Sequence, residues 1–415
     1  MKNIFLYTLL TVYVLITYAC NEKPQIININ EEFIESVEVI TPQAINVKID
    51  NFAHFVSIDF PVLTNVSEVI IKLTLAPGVN MEEPKEILSQ YDLTKESSFK
   101  VRKKDQVVLF RIRSNLVATS IDPVAKGWEK KTDFGQLPSY VSVYKYTRKI
   151  GEKNVQAYIG VTDMNNKTAR FSILGEAQGA KTPTQFYDSF TKPKIILNAG
   201  YFWDGSSLGL IIRDGKTIKS AQPMVWRNYN NVNTVYYPTQ GAFGTASNGG
   251  FYAHWVYEFN GKLYAYPSPS PNKAGEKPQE IPTNKFPVGA QEWAPKEAIG
   301  AGPLLIKKGE YKNLWEAEMF DAASGVGPTV NNPRSAIGYT PSGHLVFFVC
   351  EGRNKTPSTP GLTLKEVADL LMELGCTEAI NLDGGGSSCM LINGQETIIP
   401  SDGKQRAITS MAAIY

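Results

Sequence analysis

Residues 378–394, EAINLDGGGSSCMLING, decide the architecture predicted for the second half of the chain. Ala379–Leu382 is a short apolar run, which predicts a buried strand. Asp383 ends the run and three glycines follow it. Because glycine weakens a packed strand, three in succession indicate a loop with positive φ or close approach of a ligand to the main chain. Met390–Ile392 resumes an apolar run, and Asn393-Gly394 predicts a type I′ hairpin.

Two interpretations of this strand end are open. One is a glycine-rich turn in which Asp383 is incidental. The other is a ligand site, because carboxylates and exposed backbone amides at strand ends are typical of such sites. We favour the ligand site.

Length and composition predict a folded protein with more than one domain. The chain has 415 residues, of which 43% are hydrophobic and 20% are charged. Its net charge of +2 gives no electrostatic reason to bind nucleic acid. The three histidines, His54, His254 and His344, are scattered along the chain. A histidine-based zinc site and a Ser-His-Asp triad are therefore both disfavoured.

The start of the chain is typical of an export signal. Lys2 supplies a positive charge, and Ile4–Ile16 is an apolar run too short to cross a bilayer. A small residue then precedes Cys20, which resembles the end of a bacterial lipoprotein signal peptide over residues 1–20. We predict lipidation of Cys20, a polar tether over 21–36, and an exported protein anchored in a membrane, in the periplasm or at the cell surface. An ordinary signal peptide is the alternative.

Residues 37–118 show the period-two alternation of short strands, as in Val56, Ile58 and Phe60. Turn residues such as Pro77-Gly78 separate the runs. This pattern predicts a small all-β sandwich domain. Because no clustered carboxylates or glycines occur in it, a spacer or accessory role is favoured, and a glycan-binding role stays open.

A second domain is predicted to begin near residue 137 and to end at the C-terminus. His344–Val349 is predicted to be a strand that leads into Glu351. Thr363 and Glu366 then form a capping box, which predicts a helix start. The helix leads into the strand that ends at Asp383. If the two strands are parallel neighbours, the Glu351 and Asp383 carboxylates lie at the same edge of a sheet.

One long segment between predicted strands lacks any apolar periodicity. Tyr266–Pro287 is rich in Pro, Ser, Lys and Asn. We predict a surface excursion there, which could act as a lid.

Four motifs occur in an order that resembles a known family. They are Asn198-Ala199-Gly200-Tyr201-Phe202, Arg334-Ser335-Ala336-Ile337-Gly338, Gly361-Leu362-Thr363-Leu364-Lys365-Glu366 and Asn381-Leu382-Asp383-Gly384-Gly385-Gly386-Ser387-Ser388. Over residues 137–415 the chain is similar to the phosphodiester glycosidase family. The resemblance implies an α+β fold with a mixed sheet and cleavage of a sugar from a phosphodiester. The all-β sandwich and the lipoprotein start lie outside it.

The chemistry of a glycosyl phosphodiester assigns roles to the residues of the last motif. The leaving phosphate is already a competent anion, so the reaction needs a carboxylate to activate water or stabilise an oxocarbenium-like centre, and donors for the phosphate. We predict Asp383 as the catalytic carboxylate and Glu351 as a second one, with a plain surface charge as the alternative for Glu351. The Gly384–Gly386 amides and the Ser387 hydroxyl are predicted to hold phosphate or sugar oxygens.

Residues of the earlier motifs are predicted to bind substrate. Arg334 offers a bidentate fork for the phosphate, with a structural ion pair as the alternative. Asn198 is predicted to bond a sugar hydroxyl or acetamido group, with a turn-forming role as the alternative. Gly200, from the same motif, is grouped with the substrate-binding residues.

No cofactor is predicted. Cys350, Cys376 and Cys389 show no metal-ligand spacing and are interpreted as small buried residues. Asp383 could ligate a divalent cation, but the sequence offers no ligand set to accompany it.

The predicted function is a hydrolase that cleaves a sugar, with N-acetylglucosamine as the candidate, from a glycosyl-1-phosphodiester on an extracytoplasmic glycan. One rival is a phosphodiesterase that breaks the P–O bond. The other is a carbohydrate-binding surface lipoprotein without catalysis. The predicted partners are the substrate and, through lipidated Cys20, a membrane.

Overall fold

The computed structural model describes residues 32–42, 44–61, 64–117, 121–246 and 249–415. The predicted signal peptide, with Cys20, and most of the predicted tether lie outside these residues. Among the described residues, no helix has the length and apolar character needed to cross a membrane.

The first described part of the chain forms two small sheets. Its strands are β1 (Ile34–Thr41), β2 (Asn46–Asp50), β3 (Phe55–Pro61), β4 (Val69–Leu75), β5 (Val79–Glu83), β6 (Leu88–Tyr91), β7 (Ser97–Lys103) and β8 (Gln106–Val117). The sheet orders are β1-β4-β6 and β2-β3-β8-β7-β5. Alternate residues of both sheets meet in one hydrophobic cluster drawn from residues 33–112. β1 begins three residues before 37, the predicted start of the sandwich, and the domain boundaries themselves stay predictions.

The rest of the chain is also mostly β-structure. Its elements, in order, are β9 (Trp128–Lys131), β10 (Val141–Tyr146), β11 (Ala157–Asp163), β12 (Phe171–Gly175), α1 (Pro183–Ser189), β13 (Ile195–Asn198), β14 (Phe202–Trp203), β15 (Ser206–Ser207), β16 (Ile211–Arg213), β17 (Lys216–Lys219), β18 (Val225–Tyr229), β19 (Val232–Tyr236), β20 (Gln240–Thr245), β21 (Phe251–Phe259), β22 (Lys262–Tyr266), β23 (Gln291–Glu292), β24 (Ala298–Gly300), β25 (Leu304–Lys307), β26 (Glu310–Tyr311), β27 (Arg334–Tyr339), β28 (His344–Cys350), α2 (Leu364–Glu373), β29 (Glu378–Asn381), β30 (Met390–Ile392), β31 (Gln395–Glu396) and β32 (Ser410–Ile414).

Three larger sheets share one core. Their strand orders are β26-β25-β29-β27-β28-β11-β10-β9, β12-β32-β13-β30-β31 and β17-β16-β24-β20-β21-β22-β23. The main hydrophobic cluster takes buried side chains from all three, such as Leu197, Phe243 and Phe347. The chain passes from the eight-stranded sheet to the five-stranded sheet between β29 and β30. The loop that contains Asp383 therefore lies where two sheets meet.

The predicted mixed sheet is wrong for this part of the chain. Within the described residues, the strand pairs of the three larger sheets are antiparallel. The parallel pair is β3 with β8, in the first part of the chain. β28 and β29 are not neighbours either, because β27 lies between them and is antiparallel to both. They still run in the same direction, so Glu351 and Asp383 follow strands that end at the same edge.

Local signals in the sequence predicted helix α2 well. The Thr363 hydroxyl accepts a hydrogen bond from the Glu366 amide, and the Glu366 carboxylate accepts one from the Thr363 amide. Val367 and Leu371 bury the apolar face. Gly375, with φ of 86°, follows the last turn in the left-handed conformation. The capping box and the helical spacing are therefore confirmed.

The segment between β22 and β23 is an irregular excursion, as the composition of 266–287 predicted. The Tyr236 hydroxyl donates to the Glu276 carbonyl, and the Tyr266 hydroxyl donates to the Thr283 carbonyl at 2.9 Å. Ser270 is fully buried within it. None of its residues lines the cavity that Asp383 borders, so the structure gives no support for a lid.

Candidate active site

Backbone contacts from two distant motifs hold Asp383 in place. The Asp383 amide donates to the Ala199 carbonyl at 2.9 Å, and the Leu382 amide donates to the Ser335 carbonyl at 2.9 Å. The Asn198 side-chain amide donates to the Asp383 carbonyl at 2.6 Å. The motifs around residues 198, 335 and 383 therefore converge on one strand end.

Asp383 borders a cavity of about 430 Å³, a size typical of small-molecule sites. Gly384–Gly386 and Arg334 also line it. Its other walls include Tyr201, Glu318, Arg353 and Arg406. Ser387, Asn198, Gly200 and Glu351, which the sequence analysis assigned to the site, lie behind this surface.

Burial raises the pKa of the Asp383 carboxyl group to about 6. A hydrogen bond from the Ser387 hydroxyl, the charge of Arg406 and the Gly384 amide all favour the ionised form, but they do not outweigh desolvation. At neutral pH the group is mostly ionised and is still basic enough to accept a proton. This combination suits a general base.

Two arginines that the sequence analysis did not assign flank Asp383. The Arg406 guanidinium donates to the Asp402 carboxylate at 2.6 Å and to the Ser387 hydroxyl at 3.3 Å. The Arg353 guanidinium reaches the same Asp402 carboxylate at 3.4 Å. Counted with Arg334, which lines the same cavity, these guanidinium groups outnumber the Asp383 and Asp402 carboxylates by one, so this part of the cavity has excess positive charge. It is an arrangement suited to binding an anion.

Neighbouring groups pack against the backbone of the three glycines that follow Asp383, so a Cβ atom has no room at these positions. A Cβ atom on Gly384 would lie 2.8 Å from the Pro333 carbonyl oxygen, and one on Gly386 would overlap the Asp402–Arg406 ion pair. The Gly385 amide donates to the Pro333 carbonyl at 3.0 Å. The predicted cradle of free glycine amides is therefore corrected in part: the glycines allow the Pro333 carbonyl, Arg353 and the Asp402–Arg406 pair to lie close to the backbone.

Gly385→Ala is expected to lower kcat/KM by about tenfold. The residue has φ of 59°, and a Cβ would lie 2.8 Å from the Arg353 Nη2 atom, so the methyl group displaces that guanidinium. Gly403→Ala is the matched control, because Gly403 has φ of 79° and only Lys355 Nζ, at 3.9 Å, near such a Cβ. Kinetic constants and melting temperature should be measured for both variants. Equal kinetics in the two would show that Gly385 serves the turn alone.

Arg334 does not present the fork that the sequence analysis predicted. It is 2% exposed, and its guanidinium donates to the Leu362, Val326, Gly327 and Val330 carbonyls at 2.6–3.0 Å. The predicted phosphate contact is thus replaced by a structural role, since these bonds fix the wall at 326–330. The acceptors are neutral, so the charge of Arg334 still adds to the positive potential of the cavity.

Three other predicted contacts are also corrected. The Asn198 side chain is fully buried. Its amide oxygen accepts hydrogen bonds from the Ser335 hydroxyl at 2.6 Å and from the Cys389 amide at 3.1 Å. Gly200 is a packing position, because a Cβ there would lie 3.0 Å from the Gly300 carbonyl oxygen. Ser387 is buried and connects Arg406 to the Asp383 carboxylate. All three position the site from behind instead of contacting a ligand.

Asn198→Ala is expected to lower the free energy of unfolding by about 3 kcal/mol, because it leaves three buried polar partners without their bonds. Ser335→Ala, which removes only one of those bonds, should cost less. Chemical denaturation of both variants measures the difference. If Asn198→Ala left the stability unchanged and weakened the affinity for free sugar, the result would support the predicted contact between Asn198 and the sugar.

Glu351, predicted as a second catalytic carboxylate, is buried away from the cavity. Its two oxygens accept hydrogen bonds from the Thr356 hydroxyl at 2.6 Å and the Ile399 amide at 3.1 Å. These bonds tie together the two loops that carry Arg353 and Asp402. The structure therefore gives Glu351 a positioning role.

Glu318 is the second carboxyl group on the cavity wall, and sequence patterns did not indicate it. It is 1% exposed and accepts hydrogen bonds from the Gly241 and Leu304 amides, both at 3.0 Å. Burial raises its pKa to about 7, although both amides favour the ionised form. The Glu318 carboxyl group is therefore partly protonated at neutral pH and rigidly placed. The neighbouring wall of the cavity is held by Arg227, which pairs with Asp321 at 2.7 Å.

The described residues contain no group of three or more His, Cys, Asp and Glu side chains placed to hold a metal ion. Cys350, Cys376 and Cys389 are buried and unpaired, in agreement with their interpretation as small apolar residues.

The fold and the cavity define a β-rich protein with a carboxylate-and-arginine site at the junction of two sheets. Residues 191–415 match the family model described as phosphodiester glycosidase. Because that match covers more than half of the chain, the chain belongs to the phosphodiester glycosidase family.

Several known proteins are similar to parts of this chain. Human N-acetylglucosamine-1-phosphodiester alpha-N-acetylglucosaminidase is 36% identical over 104 residues, which are 24% of this chain and 20% of the human protein. The SPbeta prophage-derived uncharacterized protein YomE of Bacillus subtilis is 38% identical over 85 residues, or 20% of this chain and 13% of that protein. The chain therefore spans a fifth or less of the curated relatives that it matches.

Among solved structures, the catalytic domain of the zebrafish N-acetylglucosamine-1-phosphodiester alpha-N-acetylglucosaminidase, auto-inhibited by its pro-peptide, superposes with a TM-score of 0.46 at 20% identity. That alignment covers 71% of this chain and 90% of the zebrafish domain. A hypothetical protein from Synechocystis gives a TM-score of 0.46 at 16% identity, covering 84% of this chain and 74% of that one.

Proposed function

We propose that this protein is a hydrolase that releases a sugar from a glycosyl-1-phosphodiester on an extracytoplasmic glycan, with N-acetylglucosamine as the leading candidate sugar. The observation that carries the proposal is that Asp383, a carboxyl group with a raised pKa, lines the same cavity as Arg353 and Arg406. The human relative is named for this reaction, which supports the choice of sugar.

The proposed reaction uses the two kinds of group at this end of the cavity. Water attacks the anomeric carbon, the bond from that carbon to the phosphate oxygen breaks, and the phosphate monoester leaves with the electron pair. Asp383 accepts the proton from water, or first stabilises the positive charge that develops on the sugar. Arg353 and Arg406 neutralise the additional charge on the departing phosphate. A strong general acid is not needed, because that leaving group is already stable as an anion.

Glu318 is assigned to sugar binding in this scheme. Its side chain is 1% exposed and lines the cavity, and its carboxyl group is held by two backbone amides. A carboxyl group with a pKa of about 7 can donate to or accept from a sugar hydroxyl as its protonation changes. Glu318, and not Glu351, is then the second carboxyl group of the site, and its role is sugar binding instead of the catalytic role predicted for Glu351.

We also propose that the protein is exported and anchored through a lipid on Cys20. The supporting observation is the charged start, short apolar run and cysteine at the beginning of the sequence. Metabolic labelling with an alkynyl fatty acid tests it: label should enter the wild-type protein and not Cys20→Ser, and equal labelling of both would remove the anchor from the proposal.

The experiment that tests the proposed function is a screen of purified protein against a panel of sugar-1-phosphodiesters. The panel should vary the sugar and the alcohol separately, with the corresponding sugar-1-phosphate monoesters included. Release of free sugar from at least one diester is expected. Release from none of the diesters would refute the proposal.

The pH profile gives a further check. Because Asp383 must be ionised to act, kcat/KM is expected to fall as the pH drops through about 6, the pKa of that carboxyl group. The value of kcat/KM falls towards low pH, and not towards high pH, because catalysis requires the deprotonated form of Asp383. A profile that stays flat down to about pH 4, the usual range of an aspartate, would exclude a buried Asp383 as the essential base.

A further inference from the structure

One carboxylate joins the two arginines that flank Asp383. The Asp402 Oδ2 atom accepts hydrogen bonds from Nε and Nη2 of Arg406 at 3.1 and 2.6 Å. Its other oxygen, Oδ1, accepts one from Nη1 of Arg353 at 3.4 Å. Within the described residues, Asp402 is the carboxylate that forms an ion pair with either arginine. Both arginines line the cavity and Asp402 does not, so Asp402 acts on a ligand by its charge and through the arginines.

Asp402 leaves donors on both arginines for a ligand. The hydrogen bonds of Arg353 to other described side chains come from Nη1, which also donates to the Ser401 hydroxyl at 3.3 Å, so Nε and Nη2 keep their donors. Nη1 of Arg406 donates to the Ser387 hydroxyl at 3.3 Å and has a second N–H. The two arginine side chains are also 48% and 41% exposed. They can therefore bind an oxyanion while Asp402 stays in place.

The charges of this group match one class of phosphate ester. Asp402 reduces the sum of the two guanidinium charges from +2 to +1. Arg334 and Asp383, which line the same cavity, add one charge of each sign and leave that sum unchanged. A phosphodiester carries one negative charge, whereas a phosphate monoester carries close to two at neutral pH. The second charge of a monoester is therefore unbalanced at this site and is repelled by the carboxylates.

The remaining charged groups of the cavity wall have partners of their own. Arg227 pairs with Asp321 at 2.7 Å, and the Glu318 carboxyl group accepts hydrogen bonds from two backbone amides. These groups stay the same when two ligands are compared in one variant. A difference in affinity between a diester and a monoester that changes with Asp402 therefore reports the charge of Asp402.

We propose that Asp402 is a specificity-determining residue. Its charge lets Arg353 and Arg406 bind a phosphodiester and weakens their binding of the phosphate monoester that hydrolysis produces, so it favours release of that product. A carboxylate that only positioned the arginines would affect both esters equally. This inference rests on the proposed function for the identity of substrate and product, but it can be measured by binding alone.

Two non-hydrolysable ligands that differ in charge make that measurement. They are the phosphonate analogue of N-acetylglucosamine-1-phosphate, with CH₂ in place of the anomeric oxygen, and the methyl ester of that phosphonate. At about pH 8.5 the free phosphonate carries two negative charges and its ester carries one. Calorimetric titrations of both ligands should compare the wild-type protein with Asp402→Asn, Asp402→Ser, Asp402→Glu and Asp369→Asn.

Asp369→Asn is the matched control. Asp369 pairs with Lys365, four residues away, at 2.6 Å, as Asp402 pairs with Arg406 at the same spacing and distance. Neither Asp369 nor Lys365 lines the cavity. The control therefore removes the same charge from an equivalent ion pair, and its affinities for both ligands should match the wild type.

Asp402→Asn keeps an oxygen that can accept from the arginines and removes the charge. It should strengthen binding of the free phosphonate by about tenfold and of the methyl ester by about threefold, because the Coulomb energy scales with the charge of the ligand. Asp402→Ser, a second neutral variant, should show the same inequality, and Asp402→Glu should keep the wild-type ratio of affinities. Equal changes with the two ligands in the neutral variants, or no gain with the free phosphonate, would overturn the proposal.

Turnover of the phosphodiester panel separates this inference from the proposed function. If no diester is hydrolysed but the affinities shift as expected, the proposed function fails and the charge selection by Asp402 stands. If diesters are hydrolysed and the neutral variants change both affinities equally, the reverse holds. In the active enzyme the product monoester should inhibit Asp402→Asn more strongly than the wild type, and equal inhibition would contradict the role in product release.

Discussion

Asp383→Asn is expected to lower kcat by about a thousandfold or more, because it removes the group that accepts a proton or stabilises the sugar cation. The same change should make the protein more stable at neutral pH. A rise in pKa from 3.8 to about 6 in the folded state corresponds to about 3 kcal/mol of free energy spent on keeping the carboxylate ionised. Asparagine has no such ionisation, so up to about 3 kcal/mol of stability is regained.

The pH dependence of that gain has a definite sign. The folded state holds the proton of Asp383 more tightly than the unfolded state, so ionisation disfavours the fold. The penalty is absent below about pH 4 and complete above about pH 6. Denaturant unfolding should therefore show no difference between Asp383→Asn and wild type at the acid end, and a growing one as the pH rises.

Glu351→Gln is the matched control for this prediction. Glu351 follows a strand that ends at the same sheet edge, but it is buried behind the cavity and bonded to the Thr356 hydroxyl and the Ile399 amide. Its replacement should reduce stability and leave kcat within about tenfold, a change in barrier of about 1.4 kcal/mol. If Asp383→Asn stays within that same range, Asp383 has no part in the chemistry.

Arg406→Gln is expected to lower kcat by about a hundredfold, the effect typical of losing one donor to a developing anion. A second effect follows from its charge. Arg406 lowers the pKa of Asp383, so the acid limb of the kcat/KM profile should move to higher pH when the charge is removed.

Lys404→Gln is the control for Arg406, because it removes the same charge from an exposed side chain two residues away that does not line the cavity. Its kinetics and its profile should match the wild type. An Arg406→Gln enzyme with reduced kcat and an unmoved acid limb would place Arg406 on the phosphate alone, and one with wild-type kinetics would remove it from the site.

The sequence predicted those features that depend on neighbours along the chain. The capping box at Thr363, the turn at Asn393-Gly394 and the carboxylate after a buried strand at Asp383 are all local signals. The capping box is confirmed, Asn393 and Gly394 both have positive φ between β30 and β31, and Asp383 lines the cavity.

The rest of the site depends on packing between segments far apart in sequence. Arg406 and Glu318 lie in stretches without apolar periodicity, and only the folded chain brings them to Asp383. Asn198 and Arg334 lie in motifs that resemble the family, and the ligand contacts predicted for both were corrected by the structure. The burial of Asn198 and the four backbone carbonyls bonded to Arg334 decide between a ligand contact and a scaffold role, and no pattern of residue types reveals either. The three glycines were correctly linked to close approach by another group, but the approaching groups belong to the protein itself: a backbone carbonyl at Gly384 and side chains at Gly385 and Gly386.

Hydrolysis in ¹⁸O-labelled water tests directly whether this protein breaks the bond between the anomeric carbon and oxygen, as proposed. A phosphodiester of N-acetylglucosamine should be hydrolysed to a defined extent and both products analysed by mass spectrometry. Free sugar kept in labelled water for the same time corrects for exchange at the anomeric hydroxyl. We expect ¹⁸O in the sugar and none in the phosphate monoester. Label in the phosphate product would show P–O cleavage and contradict the proposal.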